Sequence, residues 1–392
     1  MRKVCVAGVG MIKFGKSEKS CIEMFAEAAM EAIITSNLKP SDIQSLYFGN
    51  VFGDFEEGQV VMASYAAREI GLSAGTPALR FEGACASASV AIRDAFIGVA
   101  GGFYDIVLVG GTERELAMGT ALATRTFAMA SDGLYEDPAG ITFPGVFALL
   151  TRLYSHKYGI PLPKLKERMA MVSVKNHKNG AKNPLAQFQR EITMDTVLKG
   201  PMIAEPLQLF DCCPFTDGAS AIVIASEEKA KKMVEKPVYI LGVGHGSGAP
   251  LYRQKDFTLV ESRVASAKTA YAMAGIEPKD VDVAEVHDCF TIAEIVATEC
   301  LGFFDFGAAS EAVEKGETQI GGRIPINPSG GLKAKGHPIG ATGAAQAYEI
   351  VKQLRGEFVE RGTQVEGAKI GLTDTLGGDS ATVCNIIYGI KG

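Results

Sequence analysis

Apolar residues in this chain come in short runs that end on glycine and alternate with longer amphipathic stretches, and the order repeats. Val4-Cys-Val-Ala-Gly-Val-Gly10 returns as Val238-Tyr-Ile-Leu-Gly-Val-Gly244, each reading as a short buried strand. A helical pattern follows each one, over Ile22–Asn37 and over Ser262–Ala274. Leu38-Lys-Pro-Ser-Asp42 is then echoed by Ile276-Glu-Pro-Lys-Asp280, and both lead into strands, Ser45–Asn50 and Asp282–His287. Further strands are predicted at Asp105–Gly110 and Lys369–Thr373, and each half closes on one more, Ala219–Ala225 and Ala381–Tyr388.

A repeat of this length is a tandem pair of domains and not a solenoid. Alternating strands and helices make each half a layered α/β unit, stacked on its twin with pseudo-twofold symmetry. The expected boundaries are 1–230 and 231–392. Between about Arg114 and Gly200 the repeat breaks into a segment rich in Met, Ala and Phe, read as an inserted loop domain of 114–200.

Composition narrows the class. With 392 residues there is room for sizeable cores, and a net charge of −6 excludes general affinity for nucleic acid. No run reaches the roughly 18 apolar residues of a membrane span, so no membrane partner is expected. Eight cysteines form no zinc spacing and no disulfide framework, which predicts a reducing, cytoplasmic setting, no metal site and no permanently bound cofactor. Cys5, Cys21, Cys300 and Cys384 fall in apolar patterns and are read as core residues.

Two glycine-padded helix starts occupy matching places in the two halves. Phe81-Glu-Gly-Ala-Cys-Ala-Ser-Ala-Ser89 puts Cys85 at one, and Gly336-His-Pro-Ile-Gly340 puts His337 at the other. Alone, Cys85 would be an inert core thiol and His337 a structural histidine. Symmetry turns both into one crevice, where an imidazole can take the thiol's proton. A helix N-terminus contributes up to ~2 kcal/mol to a thiolate. That lowers the thiol pKa only to about 7, and only if burial costs nothing, so a base is required.

His287-Asp-Cys289 follows a strand, and alternation sends His287 and Cys289 to one side with Asp288 opposite. Cys289 could equally be buried and idle. Gly377-Gly378 reads as a turn between strands that could aim an N–H at an oxyanion, or as an ordinary hairpin. Asp211–Gly218 is a turn that could line a pocket. Gly242-Val-Gly-His-Gly-Ser-Gly248 has the look of a dinucleotide loop, but Pro250 follows in place of a helix, and the first half has no such glycine ladder.

Together these residues resemble the thiolase superfamily from end to end, in its archaeal and sterol-carrier-protein form. The specific motif is Asn327–Gly343 with its Gly-His-Pro. The bacterial biosynthetic form has an Asn-Glu-Ala-Phe-like motif at His287-Asp-Cys-Phe290 and a cysteine at Thr375. The resemblance implies that Cys289 supplies that second thiol. It also implies ping-pong chemistry on coenzyme A thioesters: Cys85 takes an acetyl group, His337 is its base, and Cys85 and Gly377 amides hold the oxyanion. Cys289 then removes a proton from a second acetyl-CoA, while His287 and His337 stabilise the enolate. Cys212, Cys213 and Phe215 would border the pantetheine channel, with Lys333 or Lys335 at its mouth or else in a solvated turn.

Acetyl-CoA acetyltransfer to acetoacetyl-CoA, feeding the mevalonate route, is the implied activity. A degradative 3-ketoacyl-CoA thiolase is the alternative, with Met118, Met129, Phe143 and Phe147 governing chain length, and a non-catalytic acyl-CoA scaffold stands further off. A homodimer or tetramer, HMG-CoA synthase and a small OB-fold protein are the implied partners.

Overall fold

The computed structural model describes residues 1–392. One nine-stranded sheet runs through it. Its strands in chain order are β1 (Val4–Met11), β2 (Ser45–Gly49), β3 (Ala78–Phe81), β4 (Ile106–Arg114), β7 (Asp217–Ser226), β8 (Val238–Ser247), β9 (Val283–Glu285), β10 (Ile370–Gly377) and β11 (Thr382–Gly389). A separate hairpin pairs β5 (Met202–Ala204) with β6 (Leu207–Gln208).

The spatial order β3-β2-β4-β7-β1-β8-β11-β10-β9 is nearly a palindrome of pairings. In the first half, β2 and β4 are parallel while β4–β7 and β7–β1 are antiparallel. The second half repeats this: β9 and β10 are parallel, and β10–β11 and β11–β8 are antiparallel. The halves meet at a short antiparallel junction, Cys5 opposite Tyr239 and Val6 opposite Val238. Edge strand β3 is the one strand the repeat did not predict; its counterpart is a single bridge, Ala284 to Ile326.

Strand alternation sorts side chains into separate cores. From β1, Cys5 and Ala7 enter an outer core with the helix Cys21–Thr35, while Val4, Val6 and Val9 enter a central one. A bulge between Val6 and Gly8 sets where that alternation shifts. The central core holds the helices Ser87–Ala100 and Thr342–Arg355, which begin near Cys85 and His337. A third core covers the far face of the second half and the inserted helices Phe143–Lys157 and Leu162–Gly180.

The glycine ladder of β8 serves packing. A Cβ on Gly242, Gly244 or Gly246 would come within 2.2, 1.9 and 2.1 Å of the carbonyls of Ala270, Ser266 and Ser262, one helical turn apart. The first half does the same with Gly8 and Gly10 against Ala32 and Ala28, at 2.3 and 2.1 Å. The sequence reading that the ladder was absent there is corrected: the device is shared, and it seats a helix flat on its strand. All eight cysteines are free, with Cys5, Cys21, Cys300 and Cys384 buried. No helix is long and apolar enough to cross a membrane.

Candidate active site

Cys85 sits in the 3-10 turn Ala84–Ala86 that opens the helix Ser87–Ala100. Ala84 is held left-handed, at φ 46°, a conformation that costs a non-glycine residue about 1 kcal/mol or more. Local bonds keep it there. Ser87 Oγ donates to the Ala84 carbonyl at 2.6 Å and accepts from the Gly83 amide at 3.0 Å, and Glu82 accepts from the Ala84 amide at 2.6 Å. The small residues of this helix have a further reason. A Cβ on Gly343 would come 2.1 Å from Ser89 Oγ, so the two symmetry-related helices cross nearly in contact.

His337 hangs from the matching start, the turn Ile339–Ala341. Two glutamates from the other half hold this loop. Glu115 accepts from the amides of Ile339 (2.8 Å) and Thr216 (2.9 Å). Glu113 accepts from Gly340 (2.9 Å), and also from Phe52 (2.9 Å) and the Asn50 side chain (2.7 Å). Carboxylates at a helix N-terminus satisfy orphan amides and suit the dipole. The His337 amide itself donates to Thr216 Oγ1 at 2.9 Å.

The tautomer of His337 follows from its neighbour. Thr342 Oγ1 donates its only proton to the Pro338 carbonyl at 3.0 Å, and lies 2.8 Å from His337 Nδ1. That hydroxyl can therefore only accept from the ring, which places the proton on Nδ1 and leaves Nε2 as a free base. Burial and the nearby His287 hold the His337 pKa well below the usual imidazole range.

His287 lies just beyond β9, its amide donating to Asp374 at 3.2 Å. Asp374 is fixed by the Arg263 guanidinium at 2.8 Å and Asn385 at 2.9 Å. Burial, reinforced by Arg263, pushes the His287 pKa down to about 3, and its buried Nδ1 has no hydrogen-bond partner. As alternation predicts, Asp288 turns the opposite way, accepting from the Leu332 amide at 2.7 Å and from Asn176 at 2.7 Å.

One atom each from Cys85, His287 and His337 lies within 4.8 Å of the others. These three and Cys289 line a cavity of 350 Å³ with Cys212, Cys213, Phe215, Phe143 and Phe147 in its wall. Burial pushes the Cys85 thiol up, and Glu115 adds to this; the amides of Gly378 and Cys85 itself act the other way. Burial also raises Cys289, with Cys213 and Cys85 adding to it. Burial outweighs the helix end at Cys85, so the resting pair is a neutral thiol beside a neutral imidazole.

Some expected residues stand elsewhere. Gly377 is the last residue of β10, paired with Thr382, and a Cβ there would strike the Gly83 carbonyl at 2.1 Å. The amide that reaches Cys85 is that of Gly378, in the turn at φ 64°. Lys333 and Lys335 are each 1% exposed and belong neither to a solvated turn nor to a channel mouth. Gly330 and Gly331, both at positive φ, turn the segment inward. Lys333 there donates to the Cys212 carbonyl, and Lys335 lies 3.7 Å from Glu285. Met118 and Met129 are absent from the cavity wall, whereas Phe143 and Phe147 belong to it. Thr375 is buried between Ser89 (2.6 Å) and Gln346 (2.7 Å).

Glu113, Glu115, Thr216 and Thr342 were not singled out from the sequence. The glutamates carried a signal, two charges two residues apart at the end of an apolar strand. The two threonines act through hydroxyls that only the fold brings against His337.

The comparisons agree with one another. Residues 4–228 match the family description "Thiolase, N-terminal domain", and residues 245–390 match "Thiolase C-terminal domain-like". The chain is 41% identical over 390 residues to an "Acetyl-CoA acetyltransferase" of Methanothermobacter thermautotrophicus, covering 99% of this chain and 100% of that one. It is 36% identical to the "Benzoylsuccinyl-CoA thiolase subunit BbsB" of Thauera aromatica, over 96% of this chain and 95% of the relative. Among solved structures, "Ltp2-ChsH2(DUF35) aldolase" superposes with a TM-score of 0.82 at 28% identity, covering 99% of this chain and 97% of that one.

Proposed function

Because the chain belongs to the thiolase family and is an acyltransferase acting on coenzyme A thioesters, we propose that it is an acetyl-CoA C-acetyltransferase that joins two acetyl units by a Claisen condensation. The observation that carries this reading is the convergence of Cys85, His287, Cys289 and His337 on one apolar cavity of 350 Å³. That volume is at the low end for ligand pockets, which suits a short acyl group at the end of a narrow thiol arm.

The steps follow from the protonation states. His337 Nε2 takes the Cys85 proton as the sulfur attacks the thioester carbon of acetyl-CoA. The oxygen becomes an oxyanion facing the amides of Gly378 and Cys85; one such donor is worth roughly 3–4 kcal/mol. Coenzyme A leaves as a thiolate and takes a proton from Cys289. The Cys289 thiolate so formed then removes a methyl proton from the second acetyl-CoA. His287 and His337 hold the enolate oxygen, the carbanion attacks acetyl-Cys85, and the C–S bond breaks to release acetoacetyl-CoA and Cys85, which takes back the proton held on His337 Nε2. Run backwards, the same steps are thiolysis.

Residues 1–230 and 231–392 serve as the two halves in this reading, with 114–200 as the inserted segment over the cavity. Mevalonate synthesis, a cytoplasmic site, a homo-oligomer and association with HMG-CoA synthase and an OB-fold protein are retained as parts of the proposal. The DUF35 component in the name of the solved relative, "Ltp2-ChsH2(DUF35) aldolase", supports the idea of a partner protein. A longer-chain ketoacyl-CoA thiolase is the second reading, favoured by the benzoylsuccinyl-CoA relative.

Intact-mass measurement after incubation with acetyl-CoA tests the central claim: one acetyl adduct per chain, absent in Cys85→Ser, is expected. No adduct on the folded protein overturns it. Faster thiolysis of a long-chain ketoacyl-CoA than of acetoacetyl-CoA would favour the second reading.

A further inference from the structure

A second chemistry is available to the same three side chains. Cys85, His287 and His337 offer one sulfur and two nitrogens within 4.8 Å of one another, from positions so far apart in sequence that no metal-ligand spacing shows them. A tetrahedral Zn²⁺ sits about 2.3 Å from sulfur and about 2.0–2.1 Å from imidazole nitrogen. Its ligands are then roughly 3.3–3.6 Å apart, so side-chain rotations of about 1 Å close the set.

We infer that Cys85, His287 and His337 form an inhibitory site for a thiophilic divalent cation such as Zn²⁺. The donor set of one S and two N, with no carboxylate among them, selects zinc, cobalt or cadmium over magnesium or calcium. His337 is already prepared as a ligand: its Nδ1–H is held by Thr342 at 2.8 Å, which fixes the ring and leaves Nε2 bare. His287 is buried to 1% exposure and has a ring nitrogen with no partner. Binding displaces the proton of the Cys85 thiol: Cys–SH and M²⁺ give Cys–S–M⁺ and H⁺. The fourth position faces the cavity, where Cys289 also lies.

Metal and acetyl group compete for one sulfur. Acylated protein cannot present a thiolate, so substrate protects against the metal and the metal blocks the first half-reaction. This inhibition rests on the function proposed above, but binding does not.

Co²⁺ serves as the spectroscopic stand-in for zinc. Titration of the substrate-free protein should give one ion per chain, with a near-ultraviolet thiolate-to-cobalt band that Zn²⁺ abolishes by displacement. The band should vanish in Cys85→Ser and after alkylation of the wild-type thiol with iodoacetamide. His287→Asn should bind at least tenfold more weakly, and Cys300→Ser, away from the cavity, should match wild type. Thermal unfolding checks that each variant is folded, and the alkylated wild-type protein needs no variant. Absence of saturable binding, or a band that survives in both Cys85→Ser and the alkylated protein, overturns the inference. Since the titration uses no substrate, its outcome is separate from that of the acetyl-adduct measurement.

Discussion

Glu115→Gln separates two consequences of one buried carboxylate. Its oxygens accept from the Ile339 amide at 2.8 Å and the Thr216 amide at 2.9 Å. Glutamine keeps one acceptor and turns an NH₂ toward the other amide. The loss of one bond to a charged group is worth about 1.5–3 kcal/mol, and a buried N–H left unpaired costs about 1–3 kcal/mol more. A protein with 5–15 kcal/mol of stability remains folded. The His337 loop loosens, however, and a misplacement approaching 1 Å lowers kcat/KM by about 100-fold. The charge acts in the other direction on Cys85. Glu115 is the largest electrostatic influence holding that thiol up, second only to burial. A pKa lowered by one unit multiplies the thiolate fraction about tenfold at any pH well below it. Iodoacetamide alkylation of Cys85, followed by peptide mass spectrometry at fixed pH, should therefore speed up while turnover falls. Alkylation that does not speed up refutes the electrostatic role of the carboxylate, and unchanged turnover refutes its positioning of the loop.

Cys289→Ala should still take up one acetyl group by intact mass, more slowly, yet lose condensation by at least about 1,000-fold in a coupled assay. The pH profile of wild-type acylation should show no acid limb near 6.5, because burial holds His337 in its base form below the usual imidazole range; a limb at 6.5 refutes the shift. Alkylation of Cys85 should rise steadily to pH 9 without a plateau, since the raised thiol is never fully ionised there. Gly378→Ala puts a Cβ 2.5 Å from the Ala130 carbonyl at a φ of 64°, and should slow acylation by about 100-fold through the displaced amide.

Much of the fold could be read because it is written twice. Every strand that the two halves share was visible as an apolar run, and strand β3 escaped because its counterpart shrinks to the single bridge at Ile326. Cys85 and His337 were legible by the same symmetry, since equivalent helix starts must face one another across a twofold. Lys333 and Lys335 misled the reading because lysines beside glycines usually mark a solvated turn. Here the left-handed glycines 330 and 331 fold the segment inward, and buried carboxylates such as Glu285 receive the charge. The parts played by Gly377 and Gly378 could not be told apart for a similar reason. In a hairpin, the amide that leaves the ladder is set by register, and register places Gly377 opposite Thr382 and frees Gly378. The spacing of glycines does not carry that information.

Burial of both reacting groups fixes where the catalytic power must come from. The Cys85 thiol is raised and the His337 imidazole lowered by the same dry surroundings. Transfer of the proton between them at rest is uphill by the gap between the two pKa values, which both shifts widen, at about 1.4 kcal/mol for each pKa unit. The dry surroundings therefore disfavour a standing thiolate–imidazolium pair in the empty site. As sulfur bonds to the thioester carbon, the negative charge moves from sulfur to oxygen. In the proposed mechanism the amides of Gly378 and Cys85 receive it there, each donor worth roughly 3–4 kcal/mol. The unfavourable transfer is offset only when an acyl group occupies the cavity, so the thiol stays protonated, and slow to alkylate, until its substrate arrives. A divalent cation supplies the same compensation by bonding the sulfur directly, and for that reason the arrangement that restrains Cys85 against stray electrophiles leaves it open to zinc.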